Sequence, residues 1–386
     1  MLRAVERSER RSAGWVRGNL SRNTHGSLVL RAAQRRMGTG ATSLPTKVSR
    51  LARIRETPAS DTTRPGNGAR IGLVLGAGGV AGGAFHAGAL SALYEVTGWD
   101  PRTAEVIVGT SAGSIAGASL RAGLSAPDLL ARSLGRPLSP AGARLMSAVG
   151  PPMRPPSFRT ARPSLPSAGL LAATLARAAA RPFAARPAAL LAGLLPEGQV
   201  ASEFIADAMT MLHPHGWPAE PLWVCAVRRS DGVLEVFGRD KRPRLADAVA
   251  ASCAIPGFFR PVEIDGEQYI DGGVHSPTNA GLLADVSLDL DLVIVSSPMS
   301  YSGSRVRMAQ PARRWSRLLL DGEALLLRRR RIPVIAFQPT AEDVAVMGLN
   351  AMDPDRRAQI ADRIHASTRR RLERADVRER LAVLRG

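Results

Sequence analysis

The chain reads IGLVLGAGGVAGG over residues 71–83 and AEVIVGTSAG over residues 104–113. Each stretch is an apolar run of strand length that ends in glycines and other small residues, which is typical of a buried strand entering a tight turn. We predict strands over 71–75 and 104–108, and a helix over 83–96. Strand, turn and helix in repeated order predict a parallel sheet covered by helices.

The turn after the second strand contains the pattern G-x-S-x-G, with Ser111 between Gly109 and Gly113. Between a strand and a helix, this pattern predicts a nucleophile elbow, a sharp turn that exposes the serine hydroxyl. The glycines permit the strained turn, and the N-terminus of the following helix favours negative charge on a bound oxygen. Ser111 is therefore the candidate nucleophile, and an ordinary tight turn is the alternative.

The first glycine-rich turn fits the electrostatic need of an esterase. Attack on an ester creates an oxyanion, and the backbone N–H groups of consecutive glycines are suitable donors for it. We predict that Gly78 and Gly79 supply them. A dinucleotide-binding turn is the alternative, but Ala81 stands where the third glycine of G-x-G-x-x-G is needed. The next strand also ends in a serine turn instead of an acidic residue, which favours the oxyanion site.

The candidate base is Asp271, which ends a predicted hairpin strand and is followed by Gly272 and Gly273. A base is needed because a serine hydroxyl is a weak nucleophile by itself. The chain contains 6 histidines, and only His365 suits the order of a Ser-Asp-His triad, so His365 remains the alternative partner. A direct Ser-Asp pair requires close contact between the two side chains and a carboxylate of raised basicity.

Together, the glycine-rich turn, the GTSAG elbow and the late DGG resemble the patatin-like phospholipases over residues 70–279. The resemblance implies a three-layer α/β/α fold with a central, mostly parallel sheet. It also implies a Ser-Asp dyad of Ser111 and Asp271 that cleaves acyl esters without metal or cofactor. The chain departs from the usual glycine-rich motif, with Ala77 in place of the first glycine and Ala81 in place of a basic residue.

Charge is concentrated at the beginning of the chain. The whole chain of 386 residues carries a net charge of +19, and residues 1–70 hold 15 Lys and Arg residues against 4 Asp and Glu residues. Their Arg- and Ser-rich composition predicts a disordered, solvated tail over 1–69, with contact to an anionic membrane as the alternative. Because the arginines are not interleaved with aromatic residues, we expect no specific nucleic-acid binding.

Composition also limits the remaining segments. No run of about 18 apolar residues occurs, so we predict no membrane-spanning helix. The Pro-, Ala- and Arg-rich stretch over 127–197 predicts a helical insertion that acts as a lid, a lipid-facing cap or a linker. Cys225 and Cys253 lie in apolar runs, which indicates packing and a reducing compartment.

These features predict a catalytic domain over 70–300 that a basic region over 301–386 completes, with a helix over 354–374. The predicted function is hydrolysis of phospholipids or other acyl lipids. Because the glycine-rich motif is altered, a lipid-binding or regulatory protein without turnover is the alternative. We predict a cytoplasmic location, with peripheral contact at the inner membrane surface as a further expectation.

Overall fold

A computed structural model describes residues 68–151, 198, 200–285, 287–302 and 311–385. All of them lie within one compact unit, Arg64–Gly386. The predicted tail falls outside the described residues except for its last two positions, and so do residues 152–197 of the predicted insertion. Across the described residues, no helix is both long and apolar enough to cross a bilayer.

The described residues form one eight-stranded sheet. Its strands are β1 (Ile71–Leu75), β2 (Val106–Thr110), β3 (Leu222–Arg228), β4 (Leu234–Phe237), β5 (Val262–Ile264), β6 (Glu267–Asp271), β7 (Leu292–Ser296) and β8 (Val334–Phe337). Their order is β5-β6-β3-β2-β1-β7-β8, and β4 also pairs with β3. Five neighbouring strands, β3, β2, β1, β7 and β8, run parallel to one another. The strands β4, β5 and β6 join the sheet through antiparallel pairs. The mixed, mostly parallel sheet confirms the predicted fold class.

Helices cover both faces of the sheet. They are α1 (Gly79–Thr97), α2 (Ala112–Arg121), α3 (Ala126–Leu134), α4 (Pro140–Met146), α5 (Glu203–Leu212), α6 (Leu245–Ser252), α7 (Pro311–Arg329), α8 (Ala341–Met347), α9 (Arg357–Leu372) and α10 (Ala375–Arg380). Alternate residues of a strand point to opposite faces. Leu73 accordingly packs in the core beneath α1 and α2, and Val74 packs in the core beneath α7. Three layers result, with a separate apolar core on each side of the sheet.

Two predicted boundaries near the glycine motifs are wrong by a few residues. Helix α1 begins at Gly79 instead of residue 83, because the Gly78 carbonyl already accepts the Gly82 N–H at 2.7 Å. Strand β2 continues to Thr110 because its pairing with β3 extends to that residue. The strand therefore ends at the residue directly before Ser111.

The C-terminal residues contribute to the same sheet. Strand β8 pairs in parallel with β7 at the edge, and α9 packs against α1. The predicted helix over 354–374 is observed as α9, three residues shorter at its start and two at its end. Helix α7 was not identified from the sequence, although it is as long as α1.

Candidate active site

Ser111 occupies a strained turn between β2 and α2. Its backbone has φ 54° and ψ −121°, a conformation that non-glycine residues adopt rarely and at an energetic cost. The Ser111 N–H donates to the Ser252 hydroxyl at 2.9 Å, which holds the turn from the side of α6. The flanking glycines are sterically required: a Cβ on Gly113 would lie 1.9 Å from the Leu75 carbonyl oxygen.

Asp271 lies beside Ser111 because of the strand register. In the β2–β3 pair Thr110 faces Cys225, and in the β3–β6 pair Asp271 faces the next residue of β3, Ala226. The middle of β3 therefore brings together the ends of β2 and β6, which are far apart in the chain. The following Gly272 permits close approach, since a Cβ there would lie 2.3 Å from the Cys225 carbonyl oxygen.

The Asp271 carboxylate is buried and has few partners. Its pKa is raised to about 6. Burial raises the pKa, and hydrogen bonds from the Ser111 side chain and the Gly273 N–H partly offset that rise. The Gly273 N–H donates to Oδ1 at 2.7 Å. A carboxylate with a raised pKa is a stronger base than an exposed one. The Asp271 carboxylate therefore combines raised basicity with a neighbouring Ser111 side chain.

The glycine-rich turn lies close to both residues. Gly79 and Ser111 line the same cavity, and a Cβ on Gly273 would lie 3.1 Å from the Ala77 Cβ. The N–H groups around the turn are used, since Ala77 donates to the Pro277 carbonyl at 2.7 Å. In contrast, the N–H groups of Gly78 and Gly79 have no acceptor within the described part of the chain.

A buried histidine on α1 anchors this turn. His86 on α1 places Nε2 2.8 Å from the Gly76 carbonyl oxygen and Nδ1 2.8 Å from the Ser296 hydroxyl. Burial lowers the pKa of His86 to about 4, so the ring is neutral at physiological pH. Because a carbonyl only accepts, Nε2 carries the proton and Nδ1 accepts from Ser296. The ring therefore ties the turn to β7.

Asn279 is a second supporting residue that the sequence analysis missed. Its Nδ2 donates to the Thr110 hydroxyl at 3.0 Å and to the Ser276 carbonyl at 2.7 Å, with the Gly272 carbonyl at 3.4 Å. The side chain thereby connects the residue before Ser111 to the loop after Asp271. Asn279 adopts φ 53°, a left-handed conformation that asparagine tolerates better than most residues do.

Ser111 opens onto an apolar cavity. Its walls come from α1 to α5 and include Ala84, Ile115, Leu129, Met146, Phe204 and Met209. Arg132 and Arg357 also line the cavity, and no Asp or Glu is among its lining residues in the described chain. An apolar cavity with a few polar groups suits a hydrophobic ligand such as an acyl chain.

The alternative histidine partner does not reach this site. His365 places Nε2 3.0 Å from a carboxylate oxygen of Glu95, and His365 is not among the residues that line the cavity. The alternative Ser-Asp-His triad through His365 therefore has no support in the geometry of the described residues. The thiols of Cys225 and Cys253 are free and buried, and burial raises the pKa of both, which supports their interpretation as packing residues.

Curated proteins of similar sequence come from mycobacteria. Uncharacterized NTE family proteins of Mycobacterium bovis and Mycobacterium tuberculosis are 26% identical over 265 residues, which is 66% of this chain and 55% of each relative. The chain thus spans about half the length of the curated relatives it matches.

Solved structures give weaker likenesses. VipD from Legionella pneumophila covers 80% of this chain and 67% of its own, at 14% identity and a TM-score of 0.37. Human GIVD cytosolic phospholipase A2, in complex with methyl gamma-linolenyl fluorophosphonate, covers 82% and 59%, at 14% identity and a TM-score of 0.34.

The sequence model described as "Patatin-like phospholipase" matches residues 73–284, which is more than half of the chain. The matched region contains the glycine-rich turn, the elbow and the DGG loop described above. The chain therefore belongs to the patatin-like phospholipase family.

Proposed function

We propose that this protein hydrolyses carboxylic ester bonds of phospholipids or other acyl lipids, with Ser111 as nucleophile and Asp271 as base. One observation supports this most directly: a strained serine with a buried aspartate beside it opens onto an apolar cavity. Membership in the family supports lipid hydrolysis in general. The assignment of roles to individual residues rests on their geometry.

In the first half of the reaction, Asp271 takes the proton from Ser111 Oγ as that oxygen attacks the ester carbonyl. The tetrahedral oxyanion accepts hydrogen bonds from the N–H groups of Gly78 and Gly79, whose backbone donors have no acceptor in the described chain. When the intermediate collapses, the alcohol departs with the proton held by Asp271, and the acyl group stays on Ser111.

In the second half, Asp271 takes a proton from water, and the resulting hydroxide attacks the acyl-Ser111 ester. Collapse of the second intermediate returns a proton from Asp271 to Ser111 Oγ and releases the fatty acid. The acyl chain occupies the apolar cavity throughout. Neither half requires a metal ion, since the buried carboxylate supplies proton transfer and the backbone N–H groups supply charge stabilisation.

We further propose that the region over 70–300 and the C-terminal region over 301–386 form one catalytic domain that contacts an anionic membrane through α7. Trp315 and Leu318 on α7 are 55% and 58% exposed, and the last turn carries Arg328 and Arg329. Exposed aromatic and aliphatic side chains beside cations fit an anionic lipid surface. Two free buried cysteines fit the cytoplasmic side of that membrane.

The test is turnover of a medium-chain p-nitrophenyl ester by the wild type, Ser111→Ala and Asp271→Asn, with the fold of each checked by circular dichroism. We expect both variants to lose about three orders of magnitude in kcat, since a coupled nucleophile and base fail together. Labelling of the wild type by a fluorophosphonate, but not of Ser111→Ala, would identify the nucleophile.

Residual activity in Asp271→Asn would move the base elsewhere. A wild type that neither turns over nor reacts with the fluorophosphonate would leave the lipid-binding alternative.

A further inference from the structure

Glu323 is a buried acidic residue on α7, the helix that covers the face of the sheet opposite α1 and α2. Only 5% of its surface is exposed. One oxygen of its side chain, Oε2, accepts two hydrogen bonds, from the Thr278 hydroxyl at 2.6 Å and from the Ala280 N–H at 2.9 Å. Glu323 thus holds the two residues that flank Asn279 in the chain.

Asn279 immediately precedes a short 3₁₀-helix, Ala280–Ala284, and its side chain makes no capping hydrogen bond to that helix. Asparagine at such a position commonly uses its side chain as a cap. Here the Ala280 N–H donates to Glu323 of α7 instead. The Asn279 amide is therefore available for partners outside its own helix.

Those partners lie beside the proposed nucleophile and base. Asn279 Nδ2 donates to the Thr110 hydroxyl at 3.0 Å and lies 3.4 Å from the Gly272 carbonyl oxygen. Thr110 directly precedes Ser111, and Gly272 directly follows Asp271. One buried side chain thus connects the elbow to the DGG loop, and its backbone is held from both sides by α7.

The same segment also contacts the glycine-rich turn. The Ala77 N–H donates to the Pro277 carbonyl at 2.7 Å. The methyl group of Thr278 lies 3.3 Å from where a Cβ on Gly76 would stand. The residues that Glu323 holds therefore touch all three loops of the candidate site.

We propose that Glu323 is a positioning residue for the reaction: it holds Asn279 in place, and Asn279 fixes Ser111 relative to Asp271. This inference rests on the proposed function. A displacement of about 1 Å in a catalytic arrangement can cost about 100-fold in rate. Because Glu323 does not line the cavity, its loss should lower kcat and leave KM nearly unchanged.

The experiment measures kcat and KM on a medium-chain p-nitrophenyl ester, together with the rate at which a fluorophosphonate labels Ser111. The variants are Glu323→Ala, Glu323→Gln and the matched control Asp321→Ala. Asp321 is an acidic residue of the same helix, and its side chain is 58% exposed. Labelling reports on the attack by Ser111 alone, since it requires no deacylation.

For Glu323→Ala we expect kcat and the labelling rate to fall about 10- to 100-fold, with KM changed by less than about threefold. Glu323→Gln should stay within about fivefold of the wild type, because its amide oxygen can accept both hydrogen bonds. Asp321→Ala should stay within about twofold. Unchanged kcat in Glu323→Ala, or a glutamine variant as impaired as the alanine variant, would overturn the proposal.

A double-mutant cycle tests whether Glu323 acts through Asn279. If it does, Glu323→Ala combined with Asn279→Gly should be no slower than the slower single variant, because both changes break the same connection. Losses that multiply would show that Glu323 acts by another route and would overturn the proposal.

If Glu323→Ala does not fold, Thr278→Val takes its place, since it removes one of the two hydrogen bonds and keeps a side chain of similar shape. We expect a loss of about three- to tenfold in kcat, and an unchanged kcat would contradict the role of Glu323. A wild type that neither cleaves the ester nor reacts with the fluorophosphonate would instead overturn the proposed hydrolysis, which keeps the two failures distinct.

Discussion

Asp271→Asn should make the folded protein more stable at neutral pH although it removes the proposed base. The ordinary pKa of an aspartate is 3.8, and burial raises that of Asp271 to about 6 in the fold. A raised carboxylate pKa means that ionisation is less favourable in the folded state than in the unfolded state. The resulting loss of folding stability is absent below the pKa of Asp271 in the unfolded state. It grows as the pH rises to about 6 and is complete above that pH.

The size of the effect follows from the two pKa values. A shift of about two units corresponds to about 3 kcal/mol at pH 8, and the penalty falls to about 1 kcal/mol at pH 4.5. A neutral asparagine has no such penalty, and its side-chain oxygen can still accept the Gly273 N–H that lies 2.7 Å from Asp271 Oδ1. The free energy of unfolding of Asp271→Asn should therefore exceed that of the wild type most strongly at pH 8.

Urea unfolding followed by tryptophan fluorescence measures this difference at several pH values. Ser111→Ala is the control, because it removes the neighbouring hydroxyl but leaves the carboxylate buried, so its pH dependence should stay at least as steep as that of the wild type. A stability difference between Asp271→Asn and wild type that is independent of pH, or an asparagine variant that is less stable at pH 8, would refute the reasoning.

Four other outcomes are expected. The value of kcat/KM should fall about tenfold per pH unit below about pH 6, as the buried carboxylate becomes protonated; a pH-rate profile measures this. Asn279→Gly should lower kcat about 10- to 100-fold in the ester assay with little change in KM, since it releases the elbow from the DGG loop. In urea unfolding, Gly113→Ala should cost about 3 kcal/mol or more because its Cβ meets a strand carbonyl, whereas Gly322→Ala in open space should be neutral or stabilising. Joint replacement of Trp315 and Leu318 by alanine should reduce co-sedimentation with phosphatidylglycerol vesicles several-fold.

The order of the motifs was enough to predict the fold class. Apolar runs that end in small residues mark β1 and β2 because buried parallel strands require continuous apolar sequence. The start of α1 was misplaced because intrinsic propensity disfavours a first turn that contains two glycines, Gly79 and Gly82. In the fold, Gly82 donates to Gly78 and Ala81 donates to a distant loop, so tertiary contacts override that propensity.

The candidate site residues could be predicted only where a reactive side chain stands next to glycines in the sequence. Ser111 is marked by its flanking glycines and Asp271 by the glycines that follow it. His86 and Asn279 act through hydrogen bonds to residues distant in sequence, and no local pattern records such contacts.

The supporting residues explain how the fold tolerates an unfavourable site. The backbone of Ser111 is strained, and the carboxylate of Asp271 is buried at a cost, so both lower the stability of the folded state. Ser252 and Asn279 offset this by hydrogen bonds to the elbow, and each is buried where water cannot replace the lost partner. The strain at Ser111 is therefore maintained by a network whose members never need to touch the substrate. Variation in that network should then alter kcat and stability together, whereas variation among the residues that line the cavity should alter substrate preference while leaving the elbow intact.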